Sequence, residues 1–191
     1  MLPREYLKEH TRIAHQKVDL QFSRFELANP LGYRNFLEAH DAVLPHCERV
    51  LALSGAAWLI PDWPSRVRTL ALEQDLRVMG GHASAGMAPM VVLAPAAVFG
   101  MMYVLEGSRI GGAVLATRLC SNSGPHCRDA TRYLLHGKGS GLWPSFVAAL
   151  NTAPQVLSDI DTVLASALRT FELFEAAAAT ERPLLKKNSK P

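Results

Sequence analysis

At 191 residues, 49% of them hydrophobic, and with no low-complexity linker, the chain is long enough to bury a substantial core and reads as one domain. Its net charge of +3 and scattered lysines and arginines, apart from the tail Lys186, Lys187 and Lys190, exclude a dedicated nucleic-acid surface but leave room for a small anionic ligand. Three cysteines, Cys47, Cys120 and Cys127, form no Cys-x-x-Cys pair and exclude a disulfide framework, and the charged start MLPREYLKEHTR has no signal-peptide core, so a cytoplasmic location is expected.

Helical spacing governs the chain, and strand alternation is almost missing. A first helix is predicted over residues 3–27, with Leu7, Thr11, Ala14, Val18, Phe22 and Phe25 three or four apart, ending at Asn29-Pro30. A second spans 31–53 with a bend at Pro45. Residues 55–64 read as loop, and Ser65 is expected to cap a third helix running to Met79.

The stretch from Ala83 to Leu105 carries no charge and meets the length criterion for a membrane span. Pro89, Pro95, Gly86 and Gly100 interrupt it, and no flanking basic cluster accompanies it. It therefore predicts a buried central helix from Pro95 to Cys120, with proline in the first turn, and no membrane partner. A short helix over 128–135, the loop HGKGSG, a helix over 142–151 and a last helix over 154–179 follow. The expected fold is an all-α single-domain bundle of about seven to eight helices over residues 1–180, with a basic tail, 181–191, expected to be disordered.

Inside the central helix, YVLEGSRIGGAVL places Gly107, Gly111 and Gly112 within six positions. Each glycine costs roughly 0.5–1 kcal/mol against alanine in a helix, so the local loss needs a reason. Two fit: a close helix crossing, or a flat ligand pressed against bare backbone.

His15 is a candidate for a group opposite that surface. It lies beside the apolar stripe of the first helix, with Asp19 one turn on, where a carboxylate can orient the second ring nitrogen of a metal-binding imidazole. His10 is about 140° around the same helix, so only one of the two is expected to face inward. His40 and His46 do not share a face, while His82, His126 and His136 fall in loops or near helix ends and are expected to be solvated. No Glu-x-x-His motif is present, which argues against a carboxylate di-iron bundle.

Thr-Arg-Ile-Ala-His-Gln-Lys-Val-Asp at 11–19, Glu-Gly-Ser-Arg-Ile-Gly-Gly at 106–112 and Gly-Leu-Trp-Pro-Ser-Phe at 141–146 together resemble bacterial heme oxygenase, including the type associated with phytochromes. The likeness follows helix order over about residues 3–176. It implies heme b between the first helix and the kinked glycine helix, with His15 as the proximal iron ligand. Gly107, Ser108, Gly111 and Gly112 would be the distal residues of catalysis. Lys8 and Arg109 would pair with the heme propionates, and Thr11, Asp19 and Tyr103 would complete the cofactor contacts. Where the animal enzymes carry an aspartate after the first distal glycine, this chain has Ser108, as in the bacterial pattern.

The activity so implied is oxidative cleavage of heme, at once cofactor and substrate, to biliverdin, CO and Fe²⁺. O₂ is the co-substrate. Electrons would come from a ferredoxin or a flavin reductase, or from ascorbate in vitro, and a bacteriophytochrome is a candidate acceptor of the bilin. A heme carrier or sensor without turnover, a thiaminase-like bundle enzyme and a purely structural helical module are the alternatives. The thiaminase-like one needs an activated cysteine, and none of the three has an obvious base beside it.

Overall fold

The computed structural model describes residues 1–83, 91–122 and 125–180, and these are helical with no strand among them. The first predicted helix is two: α1, Pro3–His10, and α2, Arg12–Phe22. At the joint, Thr11 is buried and donates its hydroxyl to the Leu7 carbonyl at 2.7 Å. The second is also two, α3, Pro30–Asp41, and α4, Leu44–Leu53. Pro45 has no N–H to offer the carbonyl one turn back, so the expected bend becomes a break before α4.

A helical turn, α5, Ala56–Leu59, and a 3₁₀ turn, Trp63–Ser65, occupy the expected loop. Ser65 lies in that turn and caps nothing. The next helix, α6, starts later, at Thr69–Val78. Its start is capped from α4 instead: the buried Glu48 carboxylate accepts the backbone N–H of Arg68 at 2.7 Å, and the N–H and hydroxyl of Thr69 at 3.0 and 2.6 Å. Glu48→Ala therefore orphans three donors and should lower stability by about 3–5 kcal/mol, read as a fall in the urea midpoint, with Glu48→Gln milder. An unchanged midpoint would remove Glu48 from the cap.

The central helix, α7, runs Pro95–Asn122, two residues past the expected end. No helix among the described residues is long and apolar enough to cross a membrane, and part of the uncharged run, residues 84–90, lies outside the described residues. The expected helix at 128–135 is replaced by α8, Pro125–Asp129, and α9, Arg132–Leu135. Then come α10, Leu142–Thr152, α11, Pro154–Ser158, and α12, Ile160–Ala179, the last two parted at Asp159, whose carboxylate caps α12 on Thr162. The tail 181–191 lies outside the described residues.

The first half of α7 buries Val98, Phe99, Met102 and Leu105 in the core, as a helix enclosed by others must. It packs along α12, and α2 packs on α12 as well. Where α7 crosses α12, Gly100 is obligatory: a Cβ there would fall on the Val163 carbonyl oxygen and within 2.8 Å of Ser166 Cβ. Beside it, the Ser166 hydroxyl donates to the Ala97 carbonyl at 2.7 Å. With α12 as a shared floor, α2 and α7 stand as two walls.

Candidate functional site

The register of those walls can be read from both ends. At one end Tyr103 of α7 lies within electrostatic reach of Thr11, and burial pushes the Tyr103 hydroxyl pKa up. At the other, Asp19 and Phe22 of α2 share a cavity with Leu115, Arg118 and Leu119 of α7. The two helices therefore run in the same direction, with His15 and Gly107–Gly111 both falling between these two ends.

His15 is not interior, as its position beside the apolar stripe implied, but exposed on α2; Asp19 is exposed too and lines the cavity at its far end. Its Nδ1 meets Asp19 Oδ2 at 2.9 Å and its ring stands edge-on to Phe171 of α12, 5.7 Å between centroids. Nε2 has no partner among the described residues, so the carboxylate fixes the ring and leaves one nitrogen free for a ligand. His10 instead stacks on Tyr6 and bonds its carbonyl, away from this arrangement.

The glycines divide between the two reasons their cost invited. Gly112 is buried, and a Cβ there would press to 3.1 Å on the Leu134 carbonyl, so it serves the α7–α9 crossing. Gly111 is exposed, with nothing within 4 Å of its Cβ position. Gly107 meets only the Trp143 ring, at 3.7 Å. Trp143 in turn lies 6.0 Å from Tyr103, so the segment at 141–146 frames one end of the bare face.

Beyond Asp19 the cleft deepens into about 460 Å³ of free volume, walled largely by Phe22, Phe25, Phe36, Leu115 and Leu119. Lys8 is exposed on α1, beyond the Thr11–Tyr103 end. Two cations escaped the sequence reading here. Arg118 lines the deep end, and buried Arg68 donates from Nη2 to the Ser108 hydroxyl at 3.0 Å and the Leu105 carbonyl at 2.9 Å. Ser108 is some 40 residues from Arg68 along the chain, a separation that no local spacing reveals.

Arg109 corrects an expectation. Expected at the rim as a propionate partner, its side chain is 8% exposed and ion-paired to buried Glu106 at 2.7 Å. Glu106 also takes Nη1 of Arg66, whose Nε–Nη2 edge is bound to both carboxylate oxygens of Asp62. His136, expected in solvent, is half-buried against Arg109.

The two cysteines whose side chains are described, Cys47 and Cys127, offer no nucleophile. Burial and neighbouring Glu48 push the Cys47 thiol up to about 12, and burial raises Cys127 as well. No group of three or more His, Cys, Asp or Glu side chains fit for a metal ion gathers among the described residues.

His40 sits among the rings of Phe22, Phe36, Tyr133 and Phe174, its Nδ1 donating to the Phe36 carbonyl at 2.9 Å. Burial lowers its pKa from 6.5 to about 4, with Arg68 adding to the effect. The folded chain holds it neutral while the unfolded chain protonates it below 6.5. Its contribution is whole above pH 6.5 and is lost as pH falls toward 4, up to about 3 kcal/mol in all. His40→Gln should flatten that limb of the denaturant midpoint against pH; an unaltered limb would assign it elsewhere.

The helical arrangement carries one carboxylate-oriented imidazole on α2 and bare helix backbone on α7, and its fold is that of a known class. The structure aligns with the NO- and CO-bound heme oxygenase of Neisseria meningitidis at a TM-score of 0.78 and 19% identity, covering 93% of this chain and 90% of that one. No protein-family model matches the sequence. It is, however, 32% identical over 154 residues to a heme oxygenase of Xanthomonas campestris pv. campestris (strain 8004), covering 78% of this chain and 90% of that protein. The chain belongs to the heme oxygenase family.

Proposed function

We propose that residues 1–180 act as one heme-cleaving domain in which His15 binds the iron from α2 and the bare face of α7 at Gly107 and Gly111 covers the other side. Family membership makes the chain an oxidoreductase acting on heme, with O₂ and an electron donor as its other partners. The single observation that supports the site is the Asp19-oriented imidazole with one nitrogen free, and the reading sets it against Gly111, whose Cβ position meets no neighbouring element within 4 Å. The residues fit the group: the free nitrogen suits iron, the bare backbone a macrocycle, and the aromatic lining of the deep end an apolar edge.

Bound heme supplies the redox chemistry, O₂ activation at iron and opening of the macrocycle to biliverdin, CO and Fe²⁺. The chain supplies the rest. Asp19 holds the His15 ring, Gly111 leaves room for a diatomic ligand, and Trp143 and Tyr103 close one end. The Ser108 hydroxyl, held by Arg68 at the edge of the bare face, is the protein group placed to order water there. Lys8 is the rim cation for a propionate, since Arg109 is committed elsewhere. Gly112 belongs to the helix crossing, and Thr11 acts through Tyr103.

The test is single: the chain is mixed with heme, then given O₂ and ascorbate or a ferredoxin system, and the absorption followed. Loss of the heme band with growth of a biliverdin band and release of CO is expected. A stable heme complex that never yields bilin would make the chain a carrier or sensor. Transfer of the product to an apo-bacteriophytochrome, giving its red-absorbing band, tests chromophore supply.

A further inference from the structure

Between Gly107 and Gly111, α7 has little to lean on. Ser108 and Ile110 are exposed, and Gly107 and Gly111 carry no side chain. Apart from the Arg68 contact to the Ser108 hydroxyl and the Trp143 ring beside Gly107, the anchor of this stretch is Arg109. Its Nη2 donates to Glu106 Oε1 at 2.7 Å and to the Arg66 carbonyl at 2.5 Å, and its Nη1 to the Nδ1 and the carbonyl of His136, both at 3.2 Å. One side chain thus ties the glycine stretch to the segment before α6 and to the loop that follows α9.

We propose that Arg109 is a positioning residue that holds the bare face of α7 in register over the cleft, and that neutral His136 is the latch on which it closes. The proposal deepens the heme oxygenase reading and rests on it for its functional meaning, but it concerns contacts within the chain itself.

Arginine has only donors, so a contact to His136 Nδ1 requires that nitrogen to be a lone pair and the ring to be neutral, with its proton on Nε2. The charges around it leave no room for another cation. Arg109 comes from α7 with Glu106, Arg66 and Arg68 come from the segment before α6, and Asp62 is bound to Arg66 on the far side. The neighbours from α10, the Leu142 carbonyl and the Ser145 hydroxyl, both on Arg66, are uncharged. Two guanidiniums, Arg109 and Arg68, act on the ring against one carboxylate, Glu106. Burial, then Arg109 and Arg68, hold the imidazole below its usual pKa, so the latch stays closed at neutral pH. Acidification puts a proton on Nδ1 and turns an acceptor into a repelling donor. The loop is built close: a Cβ at Gly137, which has φ +72°, would lie 2.6 Å from Leu142 Cδ1 and 3.5 Å from Arg109 Nη1.

The experiment reads amide hydrogen-exchange protection over residues 108–113 in the heme-free chain, corrected for intrinsic rates, at pH 8 and pH 5. The parent should lose protection on acidification, and His136→Asn, which keeps an acceptor without a proton to gain, should lose clearly less, keeping only the shared part that His40 causes. Arg109→Met should be at least about tenfold less protected at both pH values, the change that loss of one charge-assisted hydrogen bond makes to a local opening, with Arg109→Lys in between. Parental protection in Arg109→Met at pH 8, or an acid response in His136→Asn equal to the parent's, overturns the proposal. If Arg109→Met does not fold, Arg109→Lys and His136→Asn decide the same question. The heme complex of Arg109→Lys should spread cleavage over more meso positions than the parent at similar heme affinity, and an unchanged isomer pattern counts against the positioning role. A parent that makes no bilin would refute the enzymatic reading, while the exchange data would still judge the latch.

Discussion

Replacing His15 with alanine should abolish the histidine-ligated absorption spectrum of the heme complex and with it bilin formation, while leaving the heme-free chain as stable as before. The stability half follows from exposure: the side chain is 61% exposed, and surface substitutions of this kind move stability by about 0.5 kcal/mol or less. The spectral half follows from the ring's setting. Of the other helix-borne rings, His10 is stacked on Tyr6 and His40 is held by the Phe36 carbonyl in an aromatic cage. Some heme uptake should survive in His15→Ala, because the apolar deep end of the cleft is untouched, and added imidazole should restore a nitrogen-ligated spectrum. Asp19→Ala should be intermediate, weakening iron ligation about 10- to 100-fold, as loss of an orienting carboxylate does. If His15→Ala keeps the parental spectrum, and His10→Ala or His40→Ala loses it, the ligand is misassigned.

What the sequence made legible and what it hid divide by distance along the chain. His15 and Asp19 are one turn apart, so helical periodicity alone brings them together, and the structure has them at 2.9 Å. The long apolar helix was legible for the same reason, because its start at Pro95 and its uniform hydrophobicity are local facts. Breaks were less so. Pro45 announces itself, but the carbonyl it fails to satisfy is four residues earlier, and whether the helix bends or parts there is settled by packing. Least legible were charges whose partners are remote. Glu48 caps a helix 20 residues away, and Arg109 is drawn inward by a carbonyl 43 residues away and by His136, 27 away. Its ion-pair partner Glu106 is only three residues off, but that spacing is equally that of a solvated surface pair. The glycines show the same limit: sequence spacing could not sort those that face a neighbour from those that face space.

Gly111→Leu should separate the two kinds of glycine most sharply. No atom lies within 4 Å of a Cβ at this position and its φ is not left-handed, so a leucine meets no neighbour at its root and gains roughly 0.5–1 kcal/mol of helix propensity. The heme-free variant should therefore melt at or slightly above the parental temperature. In the proposed site the leucine would nonetheless stand in the space left for the macrocycle and a diatomic ligand, and heme conversion should fail, since small misplacements of reacting groups cost orders of magnitude in rate. Gly112→Leu should invert the order: its Cβ presses on the Leu134 carbonyl at 3.1 Å, and overpacking of this sort typically costs about 1–3 kcal/mol. Gly100→Ala, with its Cβ on the Val163 carbonyl oxygen, should be more damaging still to stability, through the α7–α12 crossing rather than through the cleft. Thermal midpoints of the three heme-free variants, set beside biliverdin yield per folded molecule, give the answer. A Gly111→Leu chain that is clearly destabilised without heme yet converts heme at the parental rate would place the bare face of α7 outside the active site.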